Sequence, residues 1–369
     1  MDMHKEGLPY TMLAHHNDFT FVYGSFAGLD AAKREITVAA VQADSGDVIV
    51  PQRRLGYAKL CIAVGSTSHY FNTPGVQENT ISLNAPGDAE RFRQEMLMLM
   101  TWAESRADEG EQTGVDVIII GGGATGVELA AELREASNKY IDYGFRRLDA
   151  TRDIRITLLE GSPRILPPLP ERVAATATAL LEERDVRVII GCRVAEVGPG
   201  EVVDAAGRRY PFQVCAWAAG IKAPAFLATL GLPTNAAGQL EVSSTLNVIG
   251  SADIYALGDC AACTLEDGRR VPPRAQAAHQ QADYLYRAFL RQPRTGQQTS
   301  APYVYRDYGS LVSLGSQTSV GTLMGSRQAS AHGSCAEAWR TSCTSACTCS
   351  TTAPCWAGCV PAGWQWPGR

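Results

Sequence analysis

Apolar and polar positions change their rhythm twice along the chain. The first stretch reads as short strands. Asp18 to Tyr23 is aromatic and β-branched, Ile36 to Val41 and Asp47 to Val50 flank a polar turn at Asp44-Ser45-Gly46, and Lys59 to Val64 runs apolar into Gly65. A helix follows, with Asp88 as its predicted N-cap and Phe92, Met96, Leu99, Met100 and Ala103 recurring at helical spacing on one buried face. The polar run from Ala107 to Gly114 reads as a linker. Val115 to Ile120 is then almost continuously apolar, as a strand covered on both faces requires, and a helical pattern from Gly126 to about Tyr140 succeeds it. Strands at Ile154 to Leu159, Val186 to Ile190 and Gln213 to Trp217, with a helix at Val173 to Arg184, complete a doubly wound α/β pattern. From Leu240 to Gly258 the signals return to strand and turn.

Composition narrows the function. With 33 Lys plus Arg against 38 Asp plus Glu, the net charge of -5 offers no footprint for a nucleic-acid backbone. No run approaches the roughly 18 to 20 apolar residues that span a bilayer, and the start lacks a signal-peptide pattern. Cysteine separates the last 43 or so residues from the rest. Six of the 11 cysteines lie between Cys335 and Cys359, and four of the six tryptophans lie beyond Arg327, where Leu, Ile, Phe, Met, Tyr, Lys and Asp are all absent. A disulfide or metal knob is one reading of this tail. The absence of His among the clustered cysteines and of a paired CxxC argues against it. Loss of Leu with gain of Cys and Trp is what a translated frameshift yields, because a CTG codon read one base late begins TG. Residues 326–369 are therefore expected to be disordered or the product of such a slip.

The sharpest motif is Gly121-Gly122-Gly123-Ala124-Thr125-Gly126, a GxGxxG between a strand and a helix. Gly121 permits the tight turn, Gly123 lets the backbone approach a pyrophosphate, and Gly126 allows close helix-to-sheet packing. The helix N-terminus supplies unpaired N–H groups and partial positive charge to the anion. Glu160 ends the next strand, where a carboxylate accepts from a ribose 2′-hydroxyl and repels a 2′-phosphate, which favours NADH over NADPH. A second motif, Ile254-Tyr255-Ala256-Leu257-Gly258-Asp259, ends a strand in Gly-Asp. Gly258 allows a cofactor to approach the backbone and Asp259 can accept hydrogen bonds from a polyol, although a plain strand-ending turn fits the residues as well. Cys260 and Cys263 form a lone CxxC, which cannot complete a zinc site, and read as packed thiols. No metal site is expected.

Five motifs in order carry a family resemblance. These are Ile62-Ala63-Val64-Gly65-Ser66-Thr67-Ser68, the glycine loop with Val127-Glu128-Leu129-Ala130, Trp217-Ala218-Ala219-Gly220-Ile221-Lys222-Ala223, Tyr255-Ala256-Leu257-Gly258-Asp259, and Pro272-Pro273-Arg274-Ala275-Gln276-Ala277-Ala278-His279-Gln280. Together they resemble bacterial type II NADH:quinone oxidoreductase over almost all of residues 1–325. The resemblance implies an α/β fold of two Rossmann-like dinucleotide-binding domains. An FAD-binding domain is expected from 1–112 and 236–325, with the quinone-site segment, and an NADH-binding domain from 113–235. It implies NADH against Gly121, Gly123 and Gly126 with Glu160 on the adenosine ribose, and FAD along Gly65, Ala219, Gly220 and Gly258 with Asp259 on the ribitol. Hydride would pass from NADH to FAD and two electrons on to a quinone, the flavin carrying the chemistry while the protein aligns donor and acceptor, with no proton pumping. Glu128 would approach the nicotinamide, though a first-turn carboxylate also simply complements the helix dipole. Gln276 and Gln280, one helical turn apart, would hydrogen-bond a quinone carbonyl, though spacing alone fits a solvated helix face equally. Such enzymes rest peripherally on the cytoplasmic side of the inner membrane, and the resemblance leaves room for a homodimer.

Two departures from the family pattern qualify this reading. The chain is expected to begin after the first βαβ unit of the FAD domain, whose own GxGxxG holds the ADP part of FAD, and the Cys/Trp-rich tail stands where amphipathic membrane-resting helices are expected. Alternatives are therefore an inactive, soluble cytoplasmic fragment that retains only NADH binding, and a related two-domain reductase with another electron acceptor.

Overall fold

The computed structural model describes residues 9–108, 114–291, 301–316 and 318–323. The tail and part of the linker lie outside them. Compact packing divides the chain into two units, one from 9–17, 85–216 and 309–323, the other from 18–84 and 217–308. This grouping differs from a division by binding role at 113–235. The helix before the Val115 strand and the hairpin at 309–323 pack with the glycine-loop unit, so its compact body is larger than the expected dinucleotide-binding segment.

The first unit is built on a sheet with strand order Val186–Ile189, Ile154–Leu159, Val115–Ile120, Val214–Trp217. Numbered along the unit this is 3-2-1-4, the order of a dinucleotide-binding sheet. The first three strands are parallel, Ile154 pairing with Val115 and Ile156 with Val186. Val115, Val117, Ile119, Ile154 and Leu158 are wholly buried, which is why these strands read as continuous apolar runs. The Ala124–Tyr143 helix buries Val127, Ala130 and Ala131, and the Glu171–Glu182 helix buries Val173, Ala174, Ala177 and Leu181. A three-stranded antiparallel sheet (Val194–Gly198, Glu201–Asp204, Arg209–Pro211) is inserted before the fourth strand. The Pro86–Asp108 helix starts two residues before the expected cap. Pro86 supplies a preset φ, and Asp88 reaches back to accept from the Ala85 N–H at 2.9 Å, so it caps from inside the first turn. The Gly309–Ser313 and Ser319–Leu323 strands pair as a hairpin.

The second unit combines small sheets. Phe26–Asp30, Glu35–Val38 and Arg53–Gly56 form one antiparallel sheet, and Val41–Gln42 pairs with Val48–Val50 across the expected turn. The strand expected at 18–23 is absent. Those residues are not in a ladder, Phe19, Phe21 and Tyr23 are exposed, and the strand forms at Phe26–Asp30, where Glu35–Val38 is available to pair. Leu60–Ile62 runs parallel to Ile254–Ala256, and Leu240–Val242 runs parallel to Ala261–Cys263. Ile62, Leu240, Val242, Leu246, Ile254, Tyr255, Cys260 and Cys263 form its core, closed by Leu285 of the Ala275–Arg291 helix. No helix among the described residues is long and apolar enough to cross a membrane.

Candidate functional site

In the first unit, the glycine loop leaves the carboxyl end of the Val115–Ile120 strand and opens the Ala124–Tyr143 helix. Gly121 has φ +114°, which a side chain rarely adopts, and its N–H still donates to Leu159 O at 2.8 Å, extending the parallel ladder into the loop. Gly123 is the N-cap with φ -72°, and no heavy atom lies within 4 Å of where a Cβ would stand. The backbone here is open to an approaching anion, and the helix N-terminus directs its free N–H groups toward it. Gly126 is buried in the first helical turn, as close packing requires.

Glu160 closes the other side of the loop. Its Oε2 accepts from the Gly122 N–H and its Oε1 from the Ser162 N–H, both at 2.6 Å. A carboxylate offers about four acceptor positions, so these two bonds fix its orientation and leave capacity for ribose hydroxyls. Gly122 is not one of the glycines singled out by motif, yet it is tightly confined. A Cβ there would stand 2.9 Å from Glu160 Cβ, Glu160 Oε2 and Ile165 Cγ2.

Glu128 sits half-buried in the same helix, where its Oε1 accepts from the Ser313 N–H at 3.1 Å. Two turns further on, Glu135 accepts from Lys139 Nζ and from the Ser316 N–H, both at 2.7 Å, and these bonds pull its carboxyl down to about 2. The hairpin is thus tied to the helix through two glutamates, a link that residues 313–316 gave no sequence signal to predict.

In the second unit, Asp259 lines a cavity of about 300 Å³ together with Ser66, Lys222, Gln239, Arg270 and Pro272. Its Oδ2 accepts from Ser66 Oγ at 2.9 Å and its backbone oxygen accepts from Gln239 Nε2 at 2.9 Å. The lining mixes hydroxyl, amide, carboxylate and two cationic groups, a set suited to a polyol chain carrying phosphate. Gly258, at φ +74°, turns the chain from the Ile254–Ala256 strand into Asp259. Gly65 lies beyond the end of the Leu60–Ile62 strand with open space at its α-carbon. Ala219 and Gly220 are half-buried after Trp217. The Gly220 oxygen accepts from the His69 N–H at 2.9 Å, and the Phe71 ring lies 2.8 Å from where a Gly220 Cβ would be. Ser66 and Lys222 belong to motifs named from sequence, whereas Gln239 and Arg270 carried no signal and join the cavity only through folding.

The two glutamines predicted to meet an acceptor are engaged with backbone. Gln280 Oε1 accepts from the Arg306 N–H at 3.0 Å while its Nε2 donates to Arg306 O at 2.8 Å. Gln276 Oε1 accepts from the Tyr308 N–H at 2.9 Å. With Tyr284, whose hydroxyl donates to Ala301 O, they form one row along the Ala275–Arg291 helix that holds the 301–308 segment. Gln276 Nε2 donates to Asp307 Oδ1 at 3.4 Å, while the Arg306 oxygen takes one of the two N–H groups on Gln280 Nε2. Cys260 and Cys263 are buried free thiols, and burial pushes the Cys263 thiol up to about 11. Among the described residues no group of three or more His, Cys, Asp or Glu is arranged to hold a metal.

Comparison with known proteins converges on one group. The model of the pyridine nucleotide-disulphide oxidoreductase family matches residues 11–282. The type II NADH:quinone oxidoreductase of Haemophilus influenzae is 35% identical, covering 88% of this chain and 75% of its own length. The mitochondrial internal alternative NAD(P)H-ubiquinone oxidoreductase A1 of Arabidopsis thaliana is 27% identical, over 78% of this chain and 58% of its own length. Among solved structures, NDH2 of Plasmodium falciparum in complex with NADH has a TM-score of 0.69 at 20% identity, covering 81% of this chain and 76% of that one, a likeness of fold.

Proposed function

The chain belongs to the pyridine nucleotide-disulphide oxidoreductase family, among the type II NADH:quinone oxidoreductases, and on that premise we propose that it passes a hydride from NADH to FAD and two electrons on to a membrane quinone without pumping protons. The observation that carries the NADH half is the open N-cap at Gly123 beside a carboxylate already oriented by Gly122 and Ser162. Gly121, Gly123 and Gly126 form the cradle for the dinucleotide pyrophosphate, and Glu160 takes the adenosine ribose hydroxyls, which sets NADH above NADPH.

FAD is supported by the chemistry of the donor set around Asp259. Asp259 accepts from the ribityl hydroxyls, Ser66 fixes the rotamer of that carboxylate, and Gly65, Ala219, Gly220 and Gly258 are the backbone positions along which the cofactor runs. When bound, FAD supplies the hydride acceptor and the two-electron donor. Glu128, oriented by the Ser313 N–H, borders the nicotinamide, and Gln276 and Gln280, one helical turn apart, hydrogen-bond a quinone carbonyl while they hold residues 306–308. The role of the protein is positioning, so the domain assignments by cofactor, 113–235 for NADH and 1–112 with 236–325 for FAD, are part of this proposal. A peripheral setting on the cytoplasmic side of the inner membrane is part of the same proposal.

The test is a visible spectrum of the purified chain after incubation with FAD and desalting, followed by anaerobic NADH and then a soluble quinone. Retained flavin that bleaches with NADH and recovers with quinone is the expected result. A colourless protein that still quenches NADH fluorescence would reduce the function to NADH binding, and bleached flavin that recovers only with another oxidant would reassign the acceptor.

A further inference from the structure

The Ala275–Arg291 helix carries a polar residue in its buried row. Ala277, Gln281 and Leu285 are spaced by four along one face, and all three are 2 or 3% exposed. An unpaired amide at such a position is costly, so its partner indicates what it does. Gln281 Oε1 accepts from the Gly258 N–H at 2.8 Å. Gly258 is the left-handed residue that opens the short turn ending at Cys260, and the Ala278 methyl lies 3.5 Å from where a Gly258 Cβ would stand. The turn it begins is held at two more points, by Ser66 Oγ on the Asp259 carboxylate and by Gln239 Nε2 on the Asp259 carbonyl oxygen.

We propose that Gln281 is a positioning residue for the cofactor site, in that its amide oxygen fixes the Gly258–Asp259 turn and thereby aims Asp259 into the cavity. This rests on the reading of Asp259 as a flavin ligand. The role differs from that of Gln276 and Gln280, which lie on another face of the helix and hold residues 306–308. Ser66 and Gln239 restrain Asp259 itself, whereas Gln281 restrains the residue whose φ sets the direction of the turn. A left-handed glycine whose N–H loses its acceptor has a wide choice of alternative conformations, and the carboxylate that follows it moves with them.

Gln281→Met, which keeps length and apolar volume but has no acceptor, and Gln281→Glu, which keeps an acceptor oxygen, form the test pair, with Asp259→Ala as reference. Two readouts are taken on the full chain: deuterium uptake of the peptide containing Gly258 without cofactor, and the Kd for FAD. The Met variant is expected to exchange faster across Gly258 to Cys260 and to bind FAD about tenfold more weakly, with the NADH Kd unchanged as evidence that the glycine-loop unit remains folded. The Glu variant is expected to recover most of that loss. An FAD Kd within about twofold of the parent in the Met variant, when Asp259→Ala weakens binding, overturns the proposal. If Asp259→Ala also leaves FAD binding unchanged, the ligand reading of Asp259 is what fails, and deuterium uptake alone then decides whether Gln281 holds the turn. Should the Met variant not fold, the parent supplies the decision. A scalar coupling across the hydrogen bond from Gly258 nitrogen to the Gln281 side-chain carbonyl carbon is expected in its NMR spectrum, and its absence overturns the proposal.

Discussion

Adjacent glycines in the phosphate loop separate packing from binding. Gly122→Ala would place a methyl 2.9 Å from Glu160 Cβ, Glu160 Oε2 and Ile165 Cγ2. Ile165 is wholly buried, and the Gly122 oxygen is pinned by the Leu166 N–H at 2.7 Å, so neither side can yield without moving the loop. Overpacking of this kind costs about 1 to 3 kcal/mol. Displacing the charge-assisted bond from the Gly122 N–H to Glu160 adds about 1.5 to 3 kcal/mol. A loss near 3 kcal/mol in urea unfolding is therefore expected. Gly123→Ala meets nothing within 4 Å at φ -72°, a conformation alanine adopts freely. The poorer N-cap and the stiffer unfolded chain roughly cancel, leaving stability within about 1 kcal/mol of the parent. Its methyl nevertheless occupies the space through which a pyrophosphate must approach, so the NADH Kd should rise about tenfold or more, equivalent to about 1.4 kcal/mol. The assay is a urea midpoint paired with an NADH fluorescence titration for each variant. A Gly123→Ala protein with an unchanged NADH Kd would falsify the cradle, and a Gly122→Ala protein as stable as the parent would refute the packing argument.

Three further outcomes follow from the same contacts. Arg134, 2% exposed, donates through Nη2 to Ile154 O at 2.8 Å and Asp185 O at 3.0 Å and through Nη1 to Ala150 O; Arg134→Met leaves these carbonyls short of a donor and should cost about 3 kcal/mol in urea unfolding, and a loss below about 1 kcal/mol contradicts this. Arg134→Lys should not restore stability, because one ammonium cannot span the three carbonyls. The Glu135 carboxyl, pulled down to about 2 by Lys139 and the Ser316 N–H, is depressed in the folded state, so its contribution is present above the ordinary carboxylate pKa and is lost as pH falls through about 2. The Ser316 amide shift should follow that low midpoint in an NMR titration, and a midpoint near 4.5 would contradict the tie between helix and hairpin. Burial pushes the Cys263 thiol up to about 11 and raises Cys215 as well, so alkylation at neutral pH should leave both of these buried peptides unmodified by mass spectrometry until urea is added.

The parts of this molecule that were legible in its sequence are those where one local requirement dominates. Val115 to Ile120 had to be apolar at nearly every position because its sheet is covered on both faces, and its strand lies at the residues the run predicts. The loop after it had to be glycine at 121 because the turn requires φ +114°. By contrast, the aromatic run from Phe19 to Tyr23 satisfies every intrinsic preference for a strand and does not form one, because strand identity is conferred by a partner and Glu35–Val38 pairs with Phe26–Asp30 instead. The cavity around Asp259 divides in the same way. Ser66 and Lys222 travel with recognisable motifs, while Gln239 reaches Asp259 across 20 residues through a contact that no local pattern encodes.

The Ala275–Arg291 helix shows what residue chemistry alone leaves out. By periodicity Gln276 and Gln280 share one face and Gln281 belongs to the apolar row with Ala277 and Leu285, so a reading that sorts polar from apolar positions sends all three glutamines toward ligand or solvent. Folding gives them backbone partners instead: Arg306 and Tyr308 for the first pair, Gly258 for the third. Each of those backbone groups lies in a segment outside regular structure or at its edge, where N–H and C=O groups lack a ladder and must be satisfied by side chains. A side-chain amide is the one uncharged group that presents donor and acceptor with the geometry of a peptide bond, which is why glutamine recurs at all three places. Two irregular segments converge on this helix, 301–308 and the turn at Gly258, and its three glutamines divide between them, two on the first and one on the second.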